Sequence, residues 1–385
     1  MRTPQGMYFR GSQRSSLIIR LVLLVASVAL IVVVTVVIAK PPGPSSAQCG
    51  AGPLTAVRGV IGSEKEAFFK DQRVSARFAC AGLSVTVDAS GSREMLTALE
   101  RPNRDGYGFA FPGSTATAKK IMNELAITDS FKPFSSPMAV ATFKDVVDVL
   151  TKAAIVQPAS DGGMVVDVKA LLDVAHKGTL WDQLPGNDNP RTRWHKAVRL
   201  MTTDPQDSNS AIMFLSIASL VANGGLVVTT AADVQKVLPE LCRLVIDQGE
   251  KPDTSQVLFD RYLVDGMGRI PMALIYEAQF VAEAPGQKPT LTPDMVLLYP
   301  RPTVYSEHTL IPLDDAGHRV GQALRDDPEL ARLAAQYGFR PARPTDQPIS
   351  SRRAPVDTVG SPSFEVLESM IDSLKSTEAN ARPCA

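Results

Sequence analysis

The chain has 385 residues, 40 basic and 40 acidic side chains and only 6% aromatic content, so its formal net charge is zero. Such a chain has neither the field nor the stacking surfaces that nucleic acid requires. Four cysteines, at 49, 80, 242 and 384, are too few and too scattered for a disulfide-built scaffold, and no pair has metal-site spacing.

The first element is apolar. Leu21 to Ala39 is an uncharged run of 19 residues rich in Val, Leu and Ile, enough at ~1.5 Å per residue to cross a hydrocarbon core. Arg2, Arg10, Arg14 and Arg20 precede it and Lys40 alone follows closely. The positive-inside rule then predicts a short cytoplasmic tail (1–20), a single transmembrane helix (21–39) and an exported remainder at the cell membrane. The run exceeds the ~7–15-residue core of a cleaved secretory signal, and Pro41, Pro42 and Pro44 follow it, so an uncleaved anchor is the reading. Cleavage, or lipidation at Cys49, is the alternative.

A Pro/Gly/Ser linker (40–53) leads into an alternating body. "LTAVRGVIGS" predicts a strand, "EKEAFFKDQRVSARFACAG" a helix, "LSVTVDAS" a strand, "SREMLTAL" a helix, "GYGFAFPG" a strand and "STATAKKIMNEL" a helix. Helices follow in "FKDVVDVLTKAAIV", "VDVKALLDVAHKG", "WHKAVRLMTTDPQDSNSAIMFLSIASLVANGG" and "DVQKVLPELCRLVIDQG". "PMALIYEAQFVAEA" and "MVLLYPRPTVYSEHTLIPL" read as strands. Alternation of this kind implies right-handed crossovers and a mainly parallel sheet with both faces covered. After a proline-rich stretch, "FEVLESMIDS" places Phe364, Leu367, Met370, Ile371 and Leu374 on one face of a short amphipathic helix.

Candidate chemistry lies in the turns that open helices, where free backbone N–H groups and the positive dipole end bind ligands. Ser63 and Glu66 fit a capping box after Gly62; Ser114, Thr115 and Thr117 crowd the turn after Pro112 and Gly113; Thr202, Thr203, Asp204, Ser208, Asn209 and Ser210 precede a strongly apolar helix. Ordinary capping accounts for each turn alone; the third carries more polar groups than a cap needs. In doubly wound sheets such turns meet outside the carboxyl ends of strands.

These segments, together with "VTVDASGSREM", "PMALIYEAQF" and "LIPLDDAGHRVGQALRDDPELARLAAQYGFRP", resemble the type II periplasmic-binding-protein fold, and more narrowly an exported actinobacterial solute-binding domain. The resemblance covers about 54–341 and implies a two-lobed α/β fold with mixed, mainly parallel sheets. Lobe one is expected over about 54–138 and 271–341 and lobe two over about 139–270, with crossings near "PFSSPMAVAT" and "VDGMGRIPMAL"; 342–385 is a linker and short helix. In relatives of this kind the domain is often followed by a von Willebrand factor A domain behind a helix like "FEVLESMIDSL". No function of that domain's metal site is carried over.

The same resemblance implies that Ser63, Glu64, Ser114, Thr115, Thr203, Asp204, Ser208, Asn209, Tyr276 and Glu277 face the interlobe cleft. Strand alternation, with one residue buried and one exposed, is the plain alternative for Tyr276 and Glu277. Glu64, Asp204 and Glu277 are acidic while helix N-termini favour anions, so charge does not select the solute. No metal, cofactor or catalytic role is expected: His176, His195, His308 and His318 lack metal spacing and read as surface or cap residues, and no nucleophile elbow, phosphate loop or dinucleotide turn occurs. The expected function is a tethered protein that captures a small ligand for a membrane permease or sensor. The alternative is a cell-envelope interaction protein on the same fold.

Overall fold

The computed structural model describes residues 52–159, 163–283, 290–345 and 357–379. The expected transmembrane run lies outside these residues, and among them no helix is long and apolar enough to cross a membrane.

Strand β1 (Thr55–Gly62) pairs in parallel along its whole length with β2 (Leu83–Ser90). The connection between them is not one helix. It breaks into a 3₁₀ turn (Ser63–Lys65), α1 (Glu66–Lys70) and α2 (Gln72–Cys80), because Asp71 is extended and its carboxylate accepts from the Arg73 N–H at 2.7 Å. The Ser63–Glu66 capping box does not form: Gly62 and Lys65 occupy the N-cap positions and neither turn has a side-chain cap. Next come α3 (Ser92–Glu100), β3 (Phe109–Phe111), α4 (Thr115–Glu124), and β4 (Phe131–Phe143).

The chain continues through α5 (Lys144–Lys152), β5 (Val156–Pro158), β6 (Met164–Asp167) and α6 (Val168–His176). The long segment from Trp194 is helical only in α7 (Asn209–Ala222). That helix is apolar on every side and accordingly buried all round. After it stand α8 (Ala231–Val245), capped by a Thr230–Asp233 box, and α9 (Ser255–Asp265). "PMALIYEAQFVAEA" is a strand only as far as β7 (Ala273–Tyr276) and then turns into α10 (Glu277–Glu283). The remaining elements are β8 (Met295–Arg301), β9 (Tyr305–Pro312), α11 (Asp315–Asp326), α12 (Pro328–Gln336), β10 (Arg340–Pro341) and α13 (Phe364–Ala379).

The sheet runs β2-β1-β3-β9-β4-β8-β6-β5, with β7 and β10 also on β4. It is mixed but not mainly parallel: β1–β2, β1–β3 and β6–β8 are parallel, while β3–β9, β4–β9, β4–β8, β4–β7, β4–β10 and β5–β6 are antiparallel. Residues 131–137 of β4 pair with β9 and residues 138–143 with β7 and β8, so this one strand passes between two cores. The first core gathers Ile61, Phe68, Phe78, Phe109, Phe111, Phe134, Leu310, Val320 and Phe339 on one sheet face and Val60, Met95, Leu99 and Ile121 on the other. The second gathers Met138, Trp181, Phe214, Leu241, Phe259, Tyr262, Leu274 and Leu298.

Two expected boundaries shift accordingly. β7 and β8 follow residue 271 yet pack in lobe two, α10 between them touches the first core through Ala278, and the final return to lobe one comes between β8 and β9. The C-terminal helix is part of the body: Leu367, Met370, Ile371 and Leu374 enter the lobe-two core. Cys80 on α2 and Cys242 on α8 are both disulfide-bonded.

Candidate functional site

Where β1 ends, the carboxylate of Glu64 folds back over Gly62. A Cβ at Gly62 would stand 2.6 Å from both carboxylate oxygens, and one at Gly113 would stand 2.9 Å from Oε1 and 3.0 Å from the Tyr276 hydroxyl. The two glycines therefore make the space in which Glu64 and Tyr276 approach each other.

Behind Glu64 lies a buried polar chain that the sequence did not announce. Lys65 Nζ donates to Glu64 and, at 2.9 Å, meets His308 Nδ1, while the ammonium also sits 4.9 Å over the Phe111 ring. His308 Nε2 is 3.2 Å from Ser306 Oγ, and Ser306 donates to the Gly113 carbonyl. With Lys65 donating into Nδ1, the network assigns the imidazole proton to Nε2. His308 is thus no surface or cap residue; it is fully buried among Phe111, Phe134 and Phe339.

Burial favours the neutral form of each group here, and the neighbours decide the outcome. Burial alone would raise the Glu64 pKa, but the Lys65 ammonium and His308 outweigh it and hold the carboxyl at about 2. Burial and the Lys65 charge push His308 down to about 4, so the ring is neutral at pH 7. Burial lowers Lys65, opposed by Glu64. Burial and then the Glu64 charge push Tyr276 well up, so its phenol keeps its proton. That hydroxyl is buried and has no hydrogen-bond partner among the described residues.

The lobes meet at the starts of α4 and α7. Ser114 Oγ caps the Thr117 N–H and lies 3.0 Å from Asn209 Oδ1, which also accepts from Thr117 Oγ1 at 2.8 Å. Close by, the turn at Gly91 in lobe one approaches the backbone of Asp207 in lobe two so tightly that a Cβ would lie 2.3 Å from the carbonyl oxygen. Of the expected cleft residues, Glu64, Ser114, Asn209 and Tyr276 therefore come together around Gly113.

The others do different work. Ser63 is buried in the 3₁₀ turn, and Thr115 is half-buried at the start of α4, lining a surface groove. Thr203 and Ser208 hydrogen-bond Ser210 at 2.7 and 2.9 Å, fixing the entry to α7. Asp204 accepts from the Gln206 N–H and stands 4.0 Å from Lys251. Glu277, fully buried, binds Arg340 at 2.6 Å and receives Tyr299; Arg340 in turn reaches Tyr305 at 3.0 Å. Asp204 and Glu277 thus have separate partners. Ser306 and His308 were legible only as alternate residues of one strand, a spacing that puts both on one face without naming it.

No family model matches the chain, and no curated protein matches it in sequence. Solved structures do match. A periplasmic thiamin binding protein superposes with a TM-score of 0.58 at 11% identity, over 86% of this chain and 98% of that one. The sulfate-binding protein SubI from Mycobacterium tuberculosis H37Rv gives 0.50 at 14%, over 82% and 96%. The ferric binding protein from Campylobacter jejuni gives 0.51 at 9%, over 85% and 99%. These neighbours are type II periplasmic solute-binding proteins, binding proteins rather than enzymes, and their two-lobed α/β fold with a mixed sheet is the fold of this chain.

Proposed function

We propose that this chain is an extracytoplasmic solute-binding protein of the cell membrane, held by one pass through residues 21–39, that takes a small ligand between its lobes for a permease or sensor. The neutral, buried and unpartnered hydroxyl of Tyr276 carries this reading. A buried polar group without a partner costs ~1–3 kcal/mol, and a ligand group placed between the lobes beside Gly113 would supply that partner. Glu64, kept ionised by Lys65, and the facing starts of α4 and α7 supply further polar groups at the same place. The oxidised state of Cys80 and Cys242 supports an exported compartment.

The test is a thermal-shift screen of the chain from Leu54 onward against metabolites, with native mass spectrometry of the purified protein. A ligand at about 100 times its Kd adds ~2.7 kcal/mol and raises the melting temperature, and Tyr276→Phe weakens the effect. The second reading, an envelope interaction protein that has given up transport, is favoured by the Ser114–Asn209 and Thr117–Asn209 bonds, which join the lobes side chain to side chain. Absence of any ligand across a broad library, with a partner captured by cross-linking in the envelope, decides for it.

A further inference from the structure

Residues 357–379 are fastened to lobe two along their length. At the start, the Thr303 N–H donates to the Asp357 carbonyl and the Val359 N–H to the Thr303 carbonyl, both at 2.9 Å. In the middle, Leu367, Met370, Ile371 and Leu374 of α13 are buried with α8 in the lobe-two core. Near the end, Glu378 pairs with the buried Lys251 at 2.9 Å.

Lobe one is met differently. The Lys120 ammonium of α4 stands 5.4 Å from the centroid of the Phe364 ring, at the first turn of α13. On one side of this contact a groove of about 1000 Å³ separates Thr97 and Glu100 of lobe one from Gln235 and Leu238 of lobe two. On the other, a groove of about 660 Å³ separates Thr115 and Asn123 from residues 358–363. Between the two grooves α13 meets α4 around Phe364, where Lys120 also faces the Glu365 and Glu368 carboxylates.

We propose that residues 357–379 are an interlobe latch that moves with lobe two and catches lobe one through Phe364 on Lys120, setting the balance between closed and open lobes. The latch works with or without a solute, so its test needs none. A surface cation–π contact of this geometry biases a two-state balance by about two- to fivefold.

Spin labels at Thr97→Cys and Gln235→Cys, exposed residues on opposite walls of the larger groove, report the interlobe distance in the full chain, with the unsubstituted chain as labelling control. Phe364→Ala should raise the longer-distance population two- to fivefold, Lys120→Gln at least as much because it also loses the attraction to Glu365 and Glu368, and the double variant should add nothing beyond Lys120→Gln. Glu124→Gln, which removes the ion pair of Lys120 at 2.7 Å but leaves the ring contact, should leave the distances unchanged. Should Phe364→Ala fail to fold, the surface variant Lys120→Gln decides alone. Distance distributions that superimpose on the parent in both variants overturn the latch, whatever the ligand screen returns.

Discussion

Lys65 Nζ lies 2.9 Å from His308 Nδ1 with both side chains fully buried, so a charged lysine uses an imidazole as its acceptor inside the first core. The arrangement holds only while His308 is neutral and Glu64 is ionised. Each condition sets a limit on pH, and each partner is a target for substitution.

Stability should fall on acidification in two stages. His308 is depressed from 6.5 to about 4 when folded, so between those values the unfolded chain binds the extra proton and stability drops as pH falls. Glu64 is depressed from 4.5 to about 2, so its contribution is complete above 4.5 and lost as pH falls toward 2. Urea midpoints measured from pH 7.5 to 3.5 should decline from about 6.5 downward, and His308→Gln should remove the first part of the decline. A flat profile between 6.5 and 4.5 contradicts the burial of a neutral His308.

Lys65→Met should destabilise the protein by ~3–5 kcal/mol, because the Glu64 carboxylate is left buried without its ammonium. Lys65→Met combined with Glu64→Gln should recover much of that loss, since no uncompensated charge remains. Chemical denaturation of the three variants measures both effects, and a double variant no more stable than Lys65→Met refutes the charge explanation.

Tyr276→Phe should leave stability unchanged or raise it by up to ~1 kcal/mol, since it deletes a buried hydroxyl that has no hydrogen-bond partner among the described residues. Affinity for a ligand found in the screen should fall about tenfold, the loss of one hydrogen bond to a buried group. Calorimetric titration of both forms is the measurement. Equal affinities would remove the hydroxyl from the site.

Gly91→Ala should open the molecule without unfolding its cores. Gly91 has φ −72°, which alanine adopts freely, so the effect comes from the added methyl meeting the Asp207 carbonyl oxygen across the lobe contact. The closed arrangement should lose ~1–3 kcal/mol. Small-angle scattering should show a larger radius of gyration with far-ultraviolet dichroism unchanged. A radius equal to the parent's would mean that the turn shifts locally to admit the methyl.

Much of the fold could be read from local pattern. The alternation of β1, β2 and β3 with helices, the cap at Ser114 and the apolar face of α13 all follow from periodicity and turn chemistry, which depend on neighbours a few residues apart. The break at Asp71 and the turn from strand to helix at Glu277 were missed because apolar spacing continues across both points. Strand direction was missed for another reason: β4 pairs antiparallel with β7, β8, β9 and β10, partners far along the chain that leave no local mark.

By itself the sequence determined the alternating α/β body, its polar helix starts and the charge-free run that precedes it, since composition, period and capping are properties of short stretches. Only the tertiary structure decided that Glu64, Ser114, Asn209 and Tyr276 share one place, that His308 is buried beneath them, and that the last helix belongs to lobe two. Those facts depend on burial and on contacts between residues distant in the chain, such as the 243 positions between Lys65 and His308. Whether a polar side chain is solvated or enclosed is settled by what packs over it.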